Sequence, residues 1–266
     1  MKLITVCATL ALGLFCPFAS GQAQETPRFS RDYCVKVRDG KAQEYAAFLR
    51  DLTVKLAKVR VEAGAVASFT IAQAVAPSGR SARCDYHLVS TYNGFPPELL
   101  GPEQTAADMK KAGIPMSREA MIAKRDELSY LVGMDIWRWR ERVGSSAKGA
   151  YARINLDKVH PGKNAEWLNL ESNGWKQLAE VATKEHGTAW RVASLVMPAG
   201  ANLPYNAMTI DVFPSWDAMG RGIPTRAIWN KVHPNSDMSA HLNRLSELRD
   251  RPRVEVVKLI EVIEKK

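Results

Sequence analysis

The chain has 266 residues, of which 46% are hydrophobic, and its formal net charge is +9. This length suits two domains or one large one, and the hydrophobic share is ordinary for a globular core. Lysine and arginine are spread along the chain among acidic residues and form no dense basic run. We therefore expect a solvated basic surface and no nucleic-acid partner.

The first 23 residues match the pattern of a cleavable secretory signal. Lys2 gives a positive start, residues 3–18 form an apolar run, and small residues follow as far as Ala23. The run is shorter than the roughly 20 residues that span a bilayer, so we expect cleavage after Gly21 or Ala23 rather than anchoring. The sequence thus predicts a secreted or periplasmic protein with no membrane insertion after cleavage.

The next part of the chain predicts a strand, a helix, two strands, a helical region and a last strand. The helix after the first strand has apolar residues at helical spacing from Tyr45 to Val59, and it ends near Gly64. Turn-forming residues separate the strands. The predicted strands cover residues 33–38, 65–76, 85–92 and 130–140.

The remaining part predicts the same series of elements. Its first helix carries apolar residues from Trp167 to Val181 and ends near Gly187. The predicted strands cover residues 151–156, 188–197, 207–213 and 254–263.

Three pairs of similar segments recur in the same order at nearly constant spacing. They are residues 37–45 and 159–167, residues 92–101 and 213–222, and residues 125–126 and 249–250, which lie 122, 121 and 124 positions apart. Such spacing predicts two copies of one unit. Each copy has the order βαββαβ, so we expect an α+β fold of two ferredoxin-like repeats over residues 30–143 and 148–264.

The chain resembles a tandem member of the dimeric α+β barrel superfamily, which includes stress-responsive barrel, antibiotic-biosynthesis monooxygenase and NIPSNAP-like groups. The resemblance is carried by Val159-His160-Pro161-Gly162-Lys163 with Glu166-Trp167, by the degenerate copy from Val37, and by Phe213-Pro214-Ser215-Trp216. It implies two antiparallel sheets that pack into an α+β barrel. The sheets come from two repeats of one chain or from a homodimer.

Strand alternation predicts which side chains face the barrel interior. His87, Val89 and Thr91 align with the apolar set Met208, Ile210 and Val212, which we assign to the helix-covered face. The opposite phase would then line a cavity for a small aromatic or anionic ligand, or satisfy its own polar groups across a packed seam. The candidate interior residues are Lys36, Tyr86, Ser90, Asp135, Trp137, Arg153, Asn155 and Asp211.

Cys34 and Cys84 are the cysteines that remain after signal removal. Both lie near the beginnings of strands that we expect to be parallel central neighbours, and both fall in the same phase. We predict a disulfide between them in an oxidising compartment, which requires Cα atoms within about 7 Å of each other.

No motif for a known chemistry is present in the sequence. It has no His-x-x-x-His spacing with a nearby carboxylate, no Gly-rich phosphate loop, no Gly-x-Ser-x-Gly elbow and no Cys-x-x-Cys. We expect His87 to be a satisfied, partly buried histidine. We predict no metal site and no cofactor. Haem is a minor hypothesis, because the histidine or Asn/Trp/His set of haem-using members of the superfamily does not map onto this chain.

Three functions fit this sequence. The first is an exported barrel that binds a small aromatic or anionic ligand or serves structurally. The alternative is a cofactor-independent monooxygenase or cyclase that acts on an aromatic compound in the barrel. The third is an interaction module that pairs through exposed sheet faces, which applies if the two repeats face away from each other.

Overall fold

The computed structural model describes residues 28–98, 101–200 and 202–265. The predicted signal, residues 1–23, lies outside these ranges. The first half contains β1 (Arg28–Val37), α1 (Ala42–Phe48), α2 (Val54–Glu62), β2 (Ser68–Ala76), β3 (Tyr86–Asn93), α3 (Pro102–Lys111), α4 (Arg118–Leu128) and β4 (Ser129–Val143). A π-helical turn, Leu49–Thr53, joins α1 to α2.

The second half repeats this order of strands and helices, with a further short helix before its last strand. It contains β5 (Tyr151–Val159), α5 (Asn164–Leu170), α6 (Lys176–His186), β6 (Ala189–Met197), β7 (Ala207–Phe213), α7 (Trp216–Arg221), α8 (Thr225–Val232), α9 (Met238–Leu248) and β8 (Arg249–Glu264). A second π-helical turn, Glu171–Trp175, joins α5 to α6. Duplication and the domain boundaries stay predictions.

The eight strands form one closed antiparallel barrel in the order β1-β3-β2-β8-β5-β7-β6-β4. The pairs β2–β8 and β4–β6 join the two halves. The α+β barrel predicted from the sequence is confirmed, and both sheets come from one chain. The third function, an interaction module that pairs through free sheet faces, is wrong because the halves face each other. Within the described ranges, no helix is both long and apolar enough to cross a membrane.

β1 and β3 are neighbours, but they run antiparallel, so the predicted parallel arrangement is wrong. A helical crossover joins β1 to β2, which leaves these two strands pointing the same way. β3 lies between them and is therefore antiparallel to both.

The turn after the first strand of each half has the same backbone geometry. Gly40 and Gly162 have φ values of 77° and 78°, a left-handed conformation that favours glycine. The NH of Lys41 donates to the carbonyl of Arg38, and the NH of Lys163 donates to that of His160. The first of the three sequence matches thus marks structurally equivalent turns.

The third sequence match does not mark equivalent positions. The NH of Arg38 donates to the carbonyl of Leu128, and the NH of His160 donates to the carbonyl of Leu248. These bonds make Leu128 and Leu248 equivalent, so Arg249 at the start of β8 corresponds to Ser129. Arg125 lies inside α4 instead.

On β3, β5 and β7 the interior face of the barrel is the opposite of the predicted one. His87, Val89, Thr91, Met208, Ile210 and Val212 line the interior. Tyr86 faces the helices, where its ring centroid lies 5.3 Å from that of Tyr45. The prediction failed because side chains fill the interior of a small closed barrel, which can therefore be as apolar as the helix-covered face.

Cys34 and Cys84 are joined by a disulfide, with their Cα atoms 5.2 Å apart. This distance meets the requirement set by the sequence analysis. The bond ties Cys34 in β1 to the segment just before β3, and Cys34 has the strand phase of Ser30 and Asp32, which line the barrel interior.

Replacement of both cysteines by alanine should lower the free energy of unfolding by roughly 3–5 kcal/mol, because the loop between positions 34 and 84 is no longer closed in the unfolded chain. Urea unfolding of the wild-type and C34A/C84A proteins measures the difference. A reducing agent should weaken the wild-type protein and leave the variant unchanged. Equal stabilities under oxidising conditions would contradict the prediction.

Candidate functional site

A cavity of about 360 Å³ lies between the sheet of the second half and helices α6 to α9; we call it the helix-side cavity. Its volume is in the range of small-molecule sites. Trp175, Leu178, Trp190 and Phe213 are among its apolar lining residues. The polar lining residues are Arg153, Asn155, Glu171, Thr188, Thr209, Asp211, Thr225, Arg249 and Arg251.

Glu171 is the buried acid of this cavity. It is only 2% exposed and opens the π-helical turn between α5 and α6. Its Oε1 atom lies 3.4 Å from Nη2 of Arg249. Burial raises the pKa of Glu171 to about 8, while the Arg249 charge opposes the rise and the Asp157 charge adds to it. A carboxyl group with this pKa can accept or release a proton near neutral pH.

A second buried carboxylate holds the two arginines beside Glu171. Asp157 is fully buried and accepts hydrogen bonds from Nη1 of Arg249 at 2.5 Å and from Nε of Arg251 at 2.8 Å. Nε of Arg249 is buried without a hydrogen-bond partner among the described residues. Asp157 thus holds Arg249 and Arg251 at the cavity wall, and the Nε–H group of Arg249 remains available as a hydrogen-bond donor.

Three of the predicted site residues meet in this cavity. Arg153 donates to Oδ2 of Asp211 through Nε at 3.1 Å and Nη2 at 3.0 Å. Nδ2 of Asn155 donates to Oγ1 of Thr209 at 3.0 Å and to Asp211 at 3.3 Å. Their predicted position in the barrel interior is wrong, because they lie on the helix-covered face of β5 and β7.

Trp137 does line the barrel interior, where its ring stacks on Tyr205 with centroids 5.9 Å apart. Asp135 lies beside it, accepts a hydrogen bond from the Tyr205 hydroxyl at 2.9 Å and pairs with Arg83 at 3.4 Å. Burial raises the pKa of Asp135, although the Arg83 charge opposes the rise.

Lys36, Tyr86 and Ser90, which were predicted to line the interior, do not line its cavity. Lys36 pairs with Asp85 at 2.9 Å, Tyr86 belongs to the helix-side core of the first half, and Ser90 lines a cavity of about 300 Å³ under the first-half helices. Tyr86 and Ser90 have the phase that the closed barrel turns towards the helices, whereas Lys36 alternates with helix-side Val35 and Val37 and lies at the end of β1.

One end of the barrel interior holds His87 between two carboxylates. Its Nδ1 lies 3.0 Å from Asp32 and its Nε2 lies 3.3 Å from Glu255. Burial alone would lower the pKa of His87, but the two carboxylates outweigh it and raise the pKa to about 10. Burial likewise opposes the effect of His87 on Glu255, whose pKa falls to about 2. His87 is therefore a charged, paired residue and a poor general base.

Glu171 was not among the residues predicted from the sequence, although its position carries a signal. The apolar stripe of its helix runs through Trp167, Leu170, Trp175 and Leu178, and position 171 falls on the same face. An acidic residue on a buried stripe is unusual and marks a site for inspection. Leu49 opens the equivalent π-helical turn of the first half.

No family model and no curated protein matches this chain. Solved structures do match. A candidate monooxygenase from Fusobacterium nucleatum subsp. nucleatum ATCC 25586 has a TM-score of 0.57 at 11% identity, over 91% of this chain and 96% of that chain. One from Lactobacillus acidophilus NCFM has a TM-score of 0.51 at 10% identity, over 90% and 97%. This chain has the dimeric α+β barrel fold. Identities this low show the fold alone.

The expectation of no cofactor is corrected by a further match. A haem-binding protein from Thermus thermophilus aligns with 88% of this chain and 92% of its own, with a TM-score of 0.46 at 9% identity.

The residues of the two cavities in their present arrangement do not fit a haem held through histidine. The helix-side cavity is lined by Met219 but by no histidine, cysteine or tyrosine among the described residues. His241 has a buried Nε2 without a hydrogen-bond partner, but its ring lies against Gly174, where an added Cβ would be 2.6 Å from that atom. The interior cavity measures only about 90 Å³, and its His87 is paired at both nitrogens.

Glu171→Gln should stabilise the protein at alkaline pH. The pKa of Glu171 is raised from 4.5 to about 8, so its contribution to stability is fully present below pH 4.5 and is lost as the pH rises through 8. The wild-type protein should lose about 1.4 kcal/mol per pH unit relative to the variant across this window. Urea unfolding at several pH values measures the slope, and a constant difference would contradict it.

His87→Gln should destabilise the protein by about 3–5 kcal/mol near neutral pH, because Asp32 and Glu255 lose the cation between them. The raised pKa of His87 adds stability that is fully present below pH 6.5 and is lost as the pH rises towards 10. The lowered pKa of Glu255 adds stability that is fully present above pH 4.5 and is lost as the pH falls towards 2. The deficit should therefore be largest between pH 4.5 and 6.5. His160→Gln, at an exposed ion pair, is the control and should change little.

Proposed function

We propose that this protein is an enzyme that binds a small aromatic or anionic molecule in the helix-side cavity and transfers a proton through Glu171. The observation that carries the proposal is a buried carboxyl group with a pKa of about 8 at the wall of a cavity of about 360 Å³. Perturbed acids in cavities of this size are typical of catalytic sites.

The charges of the cavity favour an anion. Arg153, Arg249 and Arg251 face the carboxylates of Asp157 and Asp211, so one positive charge remains while Glu171 is protonated. Trp175, Trp190 and Phe213 offer flat apolar surface for a ring. An aromatic compound with an acidic group satisfies both features.

Proton abstraction is the reaction that these residues support. Ionised Glu171 accepts a proton from an acidic C–H or O–H bond, and the bonding electron pair stays on the substrate. The resulting anion would face Arg249 and Arg251, whose positive charges stabilise it. The monooxygenases named for the two solved structures suggest dioxygen as a second reactant, since a deprotonated ring is more readily oxidised.

We also propose that the mature protein acts outside the cytoplasm. The signal pattern of residues 1–23 supports this location, as does the disulfide between Cys34 and Cys84, since such bonds persist in oxidising compartments.

Hydrogen–deuterium exchange tests the proton transfer. Aromatic hydroxy acids and ketones are first screened for a thermal shift, and exchange at the acidic position of those that bind is then followed by NMR in heavy water. Glu171→Gln should slow the exchange by about 10²- to 10⁴-fold. Glu180→Gln, at an exposed position of the same helix, is the matched control and should keep the wild-type rate.

Two results would contradict the proposal. One is an unchanged exchange rate in Glu171→Gln. The other is a haem titration that gives one equivalent of bound haem, by absorption spectroscopy, together with loss of binding of the aromatic compounds, because haem would then fill the cavity instead.

A further inference from the structure

The barrel interior has a second charged end, far from His87. Glu255 and Glu264 lie nine positions apart on β8 and line opposite ends of the same interior cavity. Arg142 on β4 and Arg191 on β6 line the cavity at the Glu264 end. They are direct cross-strand partners.

This arginine pair is not neutralised by a contacting carboxylate. Like charges directly opposite each other on neighbouring strands are destabilising. Neither arginine has an ion pair within 4 Å among the described residues, and Glu264, the acid nearest in the cavity lining, forms none either. Burial lowers the pKa of both guanidinium groups, and Arg142 lowers that of Arg191 further, so that the Glu264 charge opposes the fall only in part and the pKa of Arg191 is about 10. A bound anion would offset this repulsion.

Unused hydrogen-bond donors line the same cavity. Nη2 of Arg191 donates to Oγ of Ser146 at 2.6 Å, but its Nε is buried without a partner. Nε1 of Trp139 and Oγ of Ser30 are likewise buried without partners. Buried donors without acceptors are rare in folded proteins, so a ligand that brings acceptor atoms is indicated.

The size and walls of the cavity limit the ligand. Its volume is about 90 Å³, which is smaller than the roughly 150 Å³ cavity that holds benzene. Beyond the arginines the walls are apolar, with Val89, Ile210, Val257 and Leu259. A small anionic head and a short apolar tail match these two regions.

A charged groove gives access to this end. It measures about 380 Å³, is lined by Arg28 and Lys265, and shares Ser68, Arg142 and Glu264 with the interior cavity. The excess of positive charge would raise the local concentration of anions.

We propose that the barrel interior binds a short-chain monocarboxylate, with only the alkyl chain inside the cavity of about 90 Å³ and the carboxylate at its mouth, between Arg142, which the groove shares, and Arg191. The site lies on the opposite face of the sheet from the helix-side cavity, so the proposal does not depend on the proposed function.

Calorimetry and thermal unfolding with butyrate test the site, in a buffer free of other carboxylates. Butyrate should bind the wild-type protein and raise its Tm. Arg191→Met should bind it roughly 10- to 100-fold more weakly, as expected for the loss of a charge-assisted hydrogen bond. Arg140→Met is the matched control: Arg140 is exposed on the same strand as Arg142, and its loss should leave binding unchanged.

A second readout separates lost binding from misfolding. Without any anion, Arg191→Met should be at least as stable as the wild-type protein, because one of two like charges is removed. Nitrate is the inorganic comparison and should bind more weakly than butyrate. No butyrate binding, equal binding by Arg191→Met, or nitrate binding as tight as butyrate binding would each overturn the proposal.

Discussion

The rest of the structure depends on the pairing of β2 with β8 and of β4 with β6. These two ladders close eight strands of one chain into a barrel, so neither sheet keeps a free face. Closure divides the molecule into an interior and two helix-covered sides, one for each half. Each side chain of a strand then points either into the interior or towards the helices, because successive residues point to opposite faces of the sheet.

The two halves have the same backbone plan but different chemistry at equivalent positions. Leu49 and Glu171 open the same π-helical turn, and Ser129 and Arg249 begin the same strand. The first half therefore keeps an apolar core where the second half buries an acid beside an arginine. The two ends of the barrel interior also differ in charge. His87 lies between two carboxylates at one end, and Arg142 and Arg191 lie at the other.

Residue patterns predicted the order and bounds of the strands and helices well, but they assigned several strand side chains to the wrong face of the sheet. β7 was predicted with its observed bounds, and the turns at Gly40 and Gly162 are equivalent as expected. The choice of interior phase relied on a contrast in polarity between two faces. In a closed barrel both faces are buried, so Tyr86 and His87 could not be sorted by that contrast. Trp137 was placed correctly, whereas Arg153, Asn155 and Asp211 were grouped correctly but on the wrong side of the sheet.

The sequence by itself determined the order of the strands and helices, the α+β barrel, and the presence of an acid on the buried stripe of α5 and α6. The order of the elements and the buried stripe follow from local periodicity and turn chemistry, which act over a few residues, whereas the barrel was implied by the resemblance to a known superfamily. Only the tertiary structure decided that Glu171 meets Arg249 and that Arg142 lies opposite Arg191. Both contacts join residues far apart in the chain, and their geometry depends on strand register and barrel closure.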